Sequence, residues 1–362
     1  MPACSGKACG GDGCGGACGV CDGSRVCNSA GTCACPTDRP ETCGDECVDF
    51  ATNPSHCGRC DKSCDDGEAC ADGTCIQARY QFVTSWGSQG GGNGEFNLPS
   101  GVAVDRDGNV YVADRANHRI QKFDSTGTFL AKWGTFGSSD GQLDYPPSLA
   151  LDEAGNVYVT DAGNNIRVQK FSADGTFLTK WGTFGSSEGE FKLPWGIAVD
   201  AAGTIYVADA DNDRVQTFTS NGDFRSVWGS HGSGEGQFLS PAGIAVNGLG
   251  PIYVTDSGDD RIQAFESNGQ VLASWGDWGD GNGKFKMPQG VAVDGGGNVY
   301  VVDSLGSRIQ KFSAGGDFVT AWGTYGSGNG AFQEPNGIAV DGVGNIYVAD
   351  TNNHRIQKFE PA

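Results

Sequence analysis

The side chains that could do chemistry recur as pairs of an aspartate and an arginine. The first of six pairs is Asp114 with Arg119, and the last is Asp350 with Arg355. A carboxylate beside a guanidinium can hold a substrate, and it can equally make a charge-assisted hydrogen bond within the protein. One catalytic site does not need six copies of a pair, so we interpret the pairs as structural hydrogen bonds.

Histidines are the remaining candidates for metal binding or acid–base catalysis. Residues 77–362 contain three of them, His118, His231 and His354. No two have the spacing of metal ligands, and the sequence shows no nucleophile with a partner base. We therefore expect no catalytic residue, no metal ligand and no enzymatic activity.

Two turns partly match a calcium-binding loop. Residues 103–109 read AVDRDGN and residues 292–298 read AVDGGGN, but no glutamate stands at the twelfth position of such a loop. Hairpin turns use the same Asp, Gly and Asn without any metal. We expect no cofactor, and calcium at these turns is the alternative.

Cysteine is confined to one end of the chain. All fifteen cysteines lie in roughly the first fifth of the chain, where they far exceed the ~8–10% of a disulfide scaffold. Such a density persists in oxidising compartments, so we expect a secreted or cell-surface protein. Zinc is the alternative, because two CxxC pairs are present, at Cys18 and Cys21 and at Cys57 and Cys60. The candidate disulfide cysteines are Cys4, Cys9, Cys14, Cys18, Cys21, Cys27, Cys33, Cys35, Cys43, Cys47, Cys57, Cys60, Cys64, Cys70 and Cys75.

Both parts of the chain are acidic. The net charge of −20 divides into −7 for residues 1–76, with 5 basic and 12 acidic residues, and −13 for residues 77–362, with 19 basic and 32 acidic residues. Phosphate groups are bound by clustered Lys and Arg, so neither nucleic acid nor an anionic membrane is expected as a partner. No apolar run approaches the ~18 residues of a membrane span. The partner classes that remain are a protein, a glycan and a second copy of the chain.

Residues 80–362 consist of one repeated unit. The word YVAD, or a close variant, ends at six aspartates 47 or 48 residues apart, from Asp114 to Asp350, and Trp-Gly recurs in the same rhythm from Trp86 to Trp322. Each unit contains four short apolar stretches joined by turns rich in Gly, Asn and Asp. No stretch has helical periodicity, so the pattern predicts an all-β fold of four-stranded units.

The ends of the repeat predict how the units are arranged. The last unit stops at residues 357–362 without a fourth strand, while residues 80–87 form a fourth strand with no unit before it. If residues 80–87 complete the last unit, the ring closes and no strand edge stays exposed. We predict a six-bladed β-propeller at residues 77–362, preceded by a disulfide-rich region at residues 1–76.

The repeat resembles that of the NHL-repeat β-propellers, whose unit reads GxFxxPxGIAVDxxGNIYVADxxNxRIQxF. The word NHRI at residues 117–120 and again at 353–356 matches the core of that unit, and the resemblance covers residues 80–362. The family includes propellers that bind RNA through a basic face, which this acidic domain is not expected to have. The repeat also resembles that of catalytic propellers, which place histidines at the channel. A metal-dependent lyase is therefore a lesser alternative.

The first part of the chain resembles cysteine-rich modules of secreted bacterial proteins. The matching stretches are CSGKACGGDGCGGACGVC at residues 4–21 and CGDECVDFATNPSHCGRCDKSC at residues 43–64. This resemblance implies two small modules that meet near Pro36, one covering residues 1–35 and the other residues 36–76. It also implies an extracellular location.

Two tryptophans stand outside the repeated pattern. Trp275 belongs to a fourth strand, whereas Trp278 lies in the loop that follows, at a position held in the other units by Gln89, Phe136, Phe184, His231 and Tyr325. Trp195 stands beside a first strand, where the other units have Ser100, Ser148, Ala242, Gln289 and Asn336. Both positions are predicted on the face formed by the loops between blades, where aromatic rings either pack their own loops or bind a partner.

We therefore expect a secreted or cell-surface, non-catalytic propeller that binds a glycan or a protein. The predicted binding residues are Trp195, Trp278, Phe136, Phe184, His231 and Tyr325. An acidic arc of Asp140, Glu188 and Glu235 would favour a basic partner. The alternative is a building block of an extracellular assembly or filament, in which the cysteine-rich region of one copy docks head to tail on the next propeller.

Overall fold

The structure is a computed structural model that describes residues 80–248 and 250–362 in full. Between residues 26 and 77 it describes the backbone of six short strands, which form three antiparallel pairs. These are β1 (Val26–Cys27) with β2 (Cys33–Ala34), β3 (Glu41–Cys43) with β4 (Glu46–Val48), and β5 (Glu68–Ala71) with β6 (Thr74–Gln77). The chain divides into two compact units, Met1–Ala78 and Arg79–Ala362. The predicted disulfides and the zinc alternative concern cysteine side chains that lie outside the described residues.

The second unit consists of 24 strands in six four-stranded antiparallel sheets, the blades of a propeller. Blade 1 contains β8 (Pro99–Val104), β9 (Val110–Asp114), β10 (Arg119–Phe123) and β11 (Phe129–Trp133); blade 2 contains β12 (Leu149–Leu151), β13 (Val157–Asp161), β14 (Arg167–Phe171) and β15 (Phe177–Trp181); blade 3 contains β16 (Pro194–Val199), β17 (Ile205–Asp209), β18 (Arg214–Phe218) and β19 (Phe224–Trp228). Blade 4 contains β20 (Pro241–Val246), β21 (Ile252–Asp256), β22 (Arg261–Phe265) and β23 (Val271–Trp275); blade 5 contains β24 (Pro288–Val293), β25 (Val299–Asp303), β26 (Arg308–Phe312) and β27 (Phe318–Trp322); blade 6 contains β28 (Ile338–Val340), β29 (Ile346–Asp350), β30 (Arg355–Pro361) and β7 (Tyr80–Trp86). Three short 3-10 helices, η1 (Arg115–Asn117), η2 (Ala210–Asn212) and η3 (Thr351–Asn353), follow second strands.

The ring is closed by its first strand, as the sequence predicts. β7 pairs with β30 as the outer strand of blade 6, and the register places Trp86 opposite Ile356 and Phe82 opposite Phe359. Tyr80 extends this closure to blade 5, because its ring stacks on Trp322 with centroids 4.3 Å apart and its hydroxyl lies 2.8 Å from that of Tyr300. The predicted all-β, six-bladed propeller is therefore confirmed.

The hydrophobic core lies between neighbouring blades. All five residues of each second strand are buried, because each blade is covered on both faces by its neighbours. Between blades 3 and 4, for example, Tyr206 and Ala208 pack with Ile252, Val254 and Phe265. Burial of one such side chain contributes about 1.5–3 kcal/mol to the free energy of folding. The apolar residues of the repeated strands therefore supply most of the stability of the ring.

The six tryptophans of the Trp-Gly words belong to the architecture, as predicted. Each ends a fourth strand and packs on a phenylalanine of the next blade, as Trp86 does on Phe123 at 5.9 Å between ring centroids. A glycine of the next blade lies directly beneath the indole: a Cβ added to Gly127 would approach Trp86 to 2.5 Å. Gly127 also has a φ of +89°, so both space and backbone conformation favour glycine there.

The first strands line a narrow central channel, and small residues are required where they meet. A Cβ on Gly196 would lie 2.1 Å from the carbonyl oxygen of Ala242 in the next blade. The same kind of contact shows that one predicted equivalence between blades, that of Trp195 with Ser148, is wrong. The residue of blade 2 that corresponds to Trp195 is Pro147, whose carbonyl faces Gly101, while Ser148 takes the glycine position. The second turn of blade 2 contains one residue more than that of the other blades, so counting back from Trp195 by the usual repeat length led to Ser148 instead of Pro147. In the part of the chain that the structure describes, no helix is long and apolar enough to cross a membrane.

Candidate functional site

Each aspartate–arginine pair fixes the loop that leads into its own blade. In blade 5 the Nε of Arg308 donates to Asp303 Oδ2 at 2.7 Å, and its two Nη atoms donate to the carbonyl oxygens of Asp280, Gly281 and Lys284 at 2.7–2.9 Å. Gln310 Nε2 donates to the carbonyl of Lys284 at 2.6 Å. These bonds hold the loop that carries Trp278, so the prediction of structural hydrogen bonds is confirmed.

The same network recurs in all six blades. The Arg Nε to Asp Oδ2 distance lies between 2.7 and 3.0 Å in every pair, and each aspartate side chain is fully buried. Burial raises the pKa of Asp256 to about 6, while hydrogen bonds from the Leu239 amide and from Arg261 oppose that rise. A buried carboxylate in this position depends on its arginine, which explains why the pair is repeated without exception.

A ring of exposed aromatic side chains lies on the loops that these networks hold. Trp278 is 67% exposed, and the exposed fractions at the equivalent positions are 65% for Phe136, 71% for Phe184, 76% for Tyr325 and, for the side chain, 78% for His231. We call the surface formed by these five residues and their loops the aromatic face. About two thirds or more of each of these side chains is exposed, so packing within their own loops covers only a minor part of them.

The contacts of these rings are few and polar. The Nζ of Lys286 lies 5.6 Å from the Trp278 ring centroid, and His231 Nδ1 lies 2.9 Å from Asp213 Oδ2. Phe136 is the exception, because its ring packs against His118 with centroids 4.8 Å apart. Most of the aromatic surface is therefore available to a partner.

The aromatic face is strongly acidic. Its loops, together with the turns after the second strands, carry thirteen acidic and four basic side chains outside the buried aspartate–arginine pairs, a net charge of −9. The acidic residues are Glu95, Asp140, Asp144, Glu188, Glu190, Asp211, Asp213, Glu235, Asp259, Asp260, Asp277, Asp280 and Glu334, and the basic ones are Arg115, Lys192, Lys284 and Lys286. Within the predicted arc, Glu188 and Glu235 are exposed, and Asp140 is exposed but paired with Lys180.

Trp195 lies at the mouth of the channel and is not part of the aromatic face that includes Trp278. It is half-buried and lines a cavity of about 70 Å³ together with residues of the first strands, among them Gly243, Gln289 and Asn336. The guanidinium of Arg115 lies over its ring, with Cζ 4.8 Å from the centroid. The repeat pattern predicted Trp195 and Trp278 on one face and gave no prediction for Arg115. Arg115 could have been found by aligning the six turns, where it is the one large side chain at its position.

Two of the three histidines connect neighbouring blades. His118 Nδ1 accepts a hydrogen bond from the backbone amide of Tyr145 at 3.2 Å, and His354 Nδ1 accepts one from that of Leu98, also at 3.2 Å. The amide donors Tyr145 and Leu98 have positive φ angles of 49° and 53°. The histidine therefore supports a strained backbone in the next blade.

The two turns that partly match a calcium loop use their carboxylates internally. Asp105 Oδ1 accepts from the amides of Asp107 and Asn109, and Oδ2 accepts from the Asn109 side chain and the Tyr111 hydroxyl, at 2.8–3.1 Å. Asp294 has the same arrangement. In the described part of the chain, no group of three or more His, Cys, Asp or Glu is arranged to hold a metal ion.

A six-bladed β-propeller of this kind has a recognisable repeat. The NHL repeat model matches residues 96–123, 191–218, 238–265, 285–312 and 332–359, which lie in blades 1, 3, 4, 5 and 6. The chain thus contains NHL repeats in five of the six blades of its β-propeller, in agreement with the sequence resemblance.

Curated relatives match over short stretches. Human NHL repeat-containing protein 3 is 41% identical over 68 residues, which cover 18% of this chain and 20% of that protein. The rat E3 ubiquitin-protein ligase TRIM71 is 51% identical over 47 residues, covering 13% and 6%, and Caenorhabditis elegans protein lin-41 is 46% identical over 48 residues, covering 13% and 4%. The matched stretches therefore span a fifth or less of each of these relatives.

Solved structures match over the whole propeller but at low identity. A streptogramin B lyase structure has a TM-score of 0.53 and 17% identity, covering 78% of this chain and 98% of its own. A gluconolactonase from Xanthomonas campestris has a TM-score of 0.56 and 14% identity, covering 79% and 90%. At such identities these similarities show the fold alone.

Proposed function

We propose that this chain is a secreted or cell-surface scaffold whose propeller binds a protein partner through the aromatic face. The observation that carries the proposal is the exposure of the ring: five of the six equivalent positions hold an aromatic side chain, each 65–78% exposed. Exposed aromatic clusters of this kind provide most of the binding energy in protein interfaces. The curated relatives with NHL repeats are consistent with a binding role for the propeller.

The charge of the aromatic face determines what kind of partner fits. A net charge of −9 on one face attracts a basic surface and repels acidic ones. Lysine and arginine side chains of a partner would also stack on the exposed rings as cation–π pairs, which are worth about 0.5–2 kcal/mol each. We therefore propose a partner with a basic patch. An uncharged glycan would use the rings but would gain nothing from the carboxylates.

The catalytic alternative has less support. The lyase and the gluconolactonase share the fold, and their activities are not carried over at 14–17% identity. His118 and His354 hold the backbone of the neighbouring blade, and His231 is paired with Asp213. Each of the three histidines thus has a contact that explains its presence without catalysis.

The proposal is tested by quantitative capture of extracellular proteins on the immobilised full chain. The variant Phe136→Ser/Phe184→Ser/Trp278→Ser/Tyr325→Ser removes the rings without changing charge. The matched control, Leu130→Ser/Leu178→Ser/Leu272→Ser, removes side chains that are 48–49% exposed on the outer strands.

The expected result is a basic protein that the wild type and the control retain and that the aromatic variant binds at least about tenfold more weakly. A captured set that is the same for all three chains would refute the proposal. A captured polysaccharide would favour the glycan alternative, and capture of the chain by itself would favour the assembly alternative.

A further inference from the structure

Three residues that depart from the repeat come together at the mouth of the channel. Arg115 of blade 1 stands where the other blades have Ala162, Ala210, Ser257, Ser304 and Thr351. Tyr145, in the loop entering blade 2, stands where they have Leu98, Leu193, Ser240, Met287 and Glu334. Trp195 of blade 3 stands where they have Ser100, Pro147, Ala242, Gln289 and Asn336. Residues from three successive blades thus form one cluster that the architecture does not require.

The guanidinium of Arg115 lies near two aromatic rings, and none of the described residues gives it an anionic partner. Its Cζ is 4.8 Å from the centroid of Trp195 and 6.0 Å from that of Tyr145. The Nε is buried and forms no hydrogen bond with the described residues. Burial lowers the pKa of Arg115, and none of the ion pairs within 4 Å in the described part of the chain includes it. The cluster therefore holds a cation whose buried Nε has no hydrogen-bond acceptor among the described residues.

The missing hydrogen-bond partner of Arg115 Nε has an energetic cost. Leaving one buried donor without a partner costs about 1–3 kcal/mol, and a small residue at this position, as in the other five blades, would avoid that cost. Stacking on aromatic rings offsets part of the cost but leaves the N–H groups in the plane of the guanidinium free. Those groups match the two oxygens of a carboxylate.

The surroundings select the size and charge of a ligand. The cavity of about 70 Å³ beside the cluster is lined by Trp195 but not by Arg115 or Tyr145, so a carboxylate bound to Arg115 would lie next to this cavity, on the side of Trp195. From Tyr145 a row of aromatic rings leads outward through His118 to Phe136, with ring centroids 4.7 and 4.8 Å apart, and the Nδ1 of His118 lies 3.4 Å from Asp144 Oδ1. The net charge of −9 on this face opposes every anion, and a doubly charged phosphate more strongly than a single carboxylate, so the favourable contact has to come from Arg115 itself.

We propose that Arg115, Tyr145 and Trp195 form a binding site for a carboxylate carried on an aromatic body. The carboxylate accepts from the Arg115 guanidinium at the channel mouth, and the aromatic body lies along Tyr145 towards Phe136. Such a group occurs in a free aromatic acid and at the end of a polypeptide that terminates in an aromatic residue. The site requires none of the exposed rings of Phe184, Trp278 and Tyr325, so it is independent of protein binding through those residues.

Isothermal titration calorimetry on the full chain tests the site. The probes are benzoate and N-acetylphenylalanine, each compared with its neutral amide, benzamide and N-acetylphenylalanine amide. We expect at least one acid to bind at least about tenfold more tightly than its amide, which is the preference expected for one charge-assisted hydrogen bond. Preferential binding of benzoate identifies a free aromatic acid, and preference for N-acetylphenylalanine alone identifies a chain end.

Matched variants separate the site from general effects. Arg115→Ser introduces a small residue like Ala210 and Thr351, which begin the same 3-10 helix in blades 3 and 6, and it should abolish the preference for the acid. Arg225→Ser is the control, because Arg225 lies on an outer strand and donates to Thr204 at 3.1 Å, and it should keep the preference. Equal affinity for acid and amide, a preference that survives Arg115→Ser, or no heat from any probe at about 10 mM would overturn the proposal.

Discussion

Replacing Arg308 by methionine should both destabilise the propeller and release the loop that carries Trp278. Arg308 makes four hydrogen bonds of 2.7–2.9 Å, one to the buried Asp303 and three to loop carbonyls. Methionine keeps much of the side-chain volume but leaves the Asp303 charge buried without its partner. Removing one member of a buried pair costs about 3–5 kcal/mol.

The fold itself provides a matched control for this substitution. Arg106 pairs with Glu153 at 2.7 Å, the same distance as Arg308 to Asp303, but the two side chains are 74% and 60% exposed. Exposed pairs contribute about 0–1 kcal/mol, because water solvates both charges in any case. Arg106→Met therefore removes an arginine and an ion pair of equal length without leaving a buried charge.

The assay is thermal unfolding of both variants by calorimetry, with hydrogen exchange at residues 279–284 as a local readout. Arg308→Met should lower the melting temperature by about 6–15 °C and raise exchange in that loop, whereas Arg106→Met should change the melting temperature by less than about 3 °C. Equal shifts in the two variants, or a shift of less than about 2 °C for Arg308→Met, would refute the reasoning.

Three further outcomes are expected. Deletion of residues 80–87 should abolish cooperative unfolding of the ring, because it removes the outer strand of blade 6; a calorimetric transition like that of the wild type would contradict this topology. Burial and the charge of Asp200 raise the pKa of Tyr206 from 10.0 to about 12, so the unfolded chain ionises first, and the melting temperature should fall as the pH rises from 10 to 12. Light scattering should give the molar mass of one chain with and without reductant. A large species that disappears when residues 1–76 are removed would favour the assembly alternative instead.

Much of the fold could be predicted because the contacts within a blade are local in sequence. The sequence motifs that end at Asp114 and Trp133 correspond to strands that pair with neighbours a few residues away. The repeat alone therefore predicts each four-stranded sheet. Among the strands that the structure describes, closure of the ring is the one pairing between residues far apart in sequence, and it was predictable because residues 80–87 had no other unit to complete.

The cluster at the channel mouth could not be predicted in the same way. Arg115, Tyr145 and Trp195 lie in three blades, and their proximity depends on the curvature of the ring and on side-chain directions that the repeat does not encode. The extra residue in the second turn of blade 2 also shifted the expected equivalent of Trp195 to Ser148 rather than Pro147. Blade 2, which supplies Tyr145, is the blade that lies outside the five matched NHL stretches.

The turn position held by His118 shows how a repeated residue differs from a functional departure. His118 and His354 accept a hydrogen bond from the next blade, and in blades 3 and 4 the carboxylates of Asp213 and Asp260 accept the same bond at 2.8 and 2.6 Å.

The acceptor is not needed in every blade. Ile166 in blade 2 offers none, and the matching residue Leu193 has no positive φ and donates its amide to Asp209 Oδ1 at 3.2 Å. In blades 1, 3, 4 and 6 the acceptor bonds to the next blade, and an imidazole fills this structural role as well as a carboxylate does. Arg115 fills no such role, because alanine and threonine at its position begin the same 3-10 helix in blades 3 and 6. The architecture leaves the position of Arg115 free to vary, yet this residue keeps a buried donor without a partner among the described residues. A function added to this propeller is expected at such a residue.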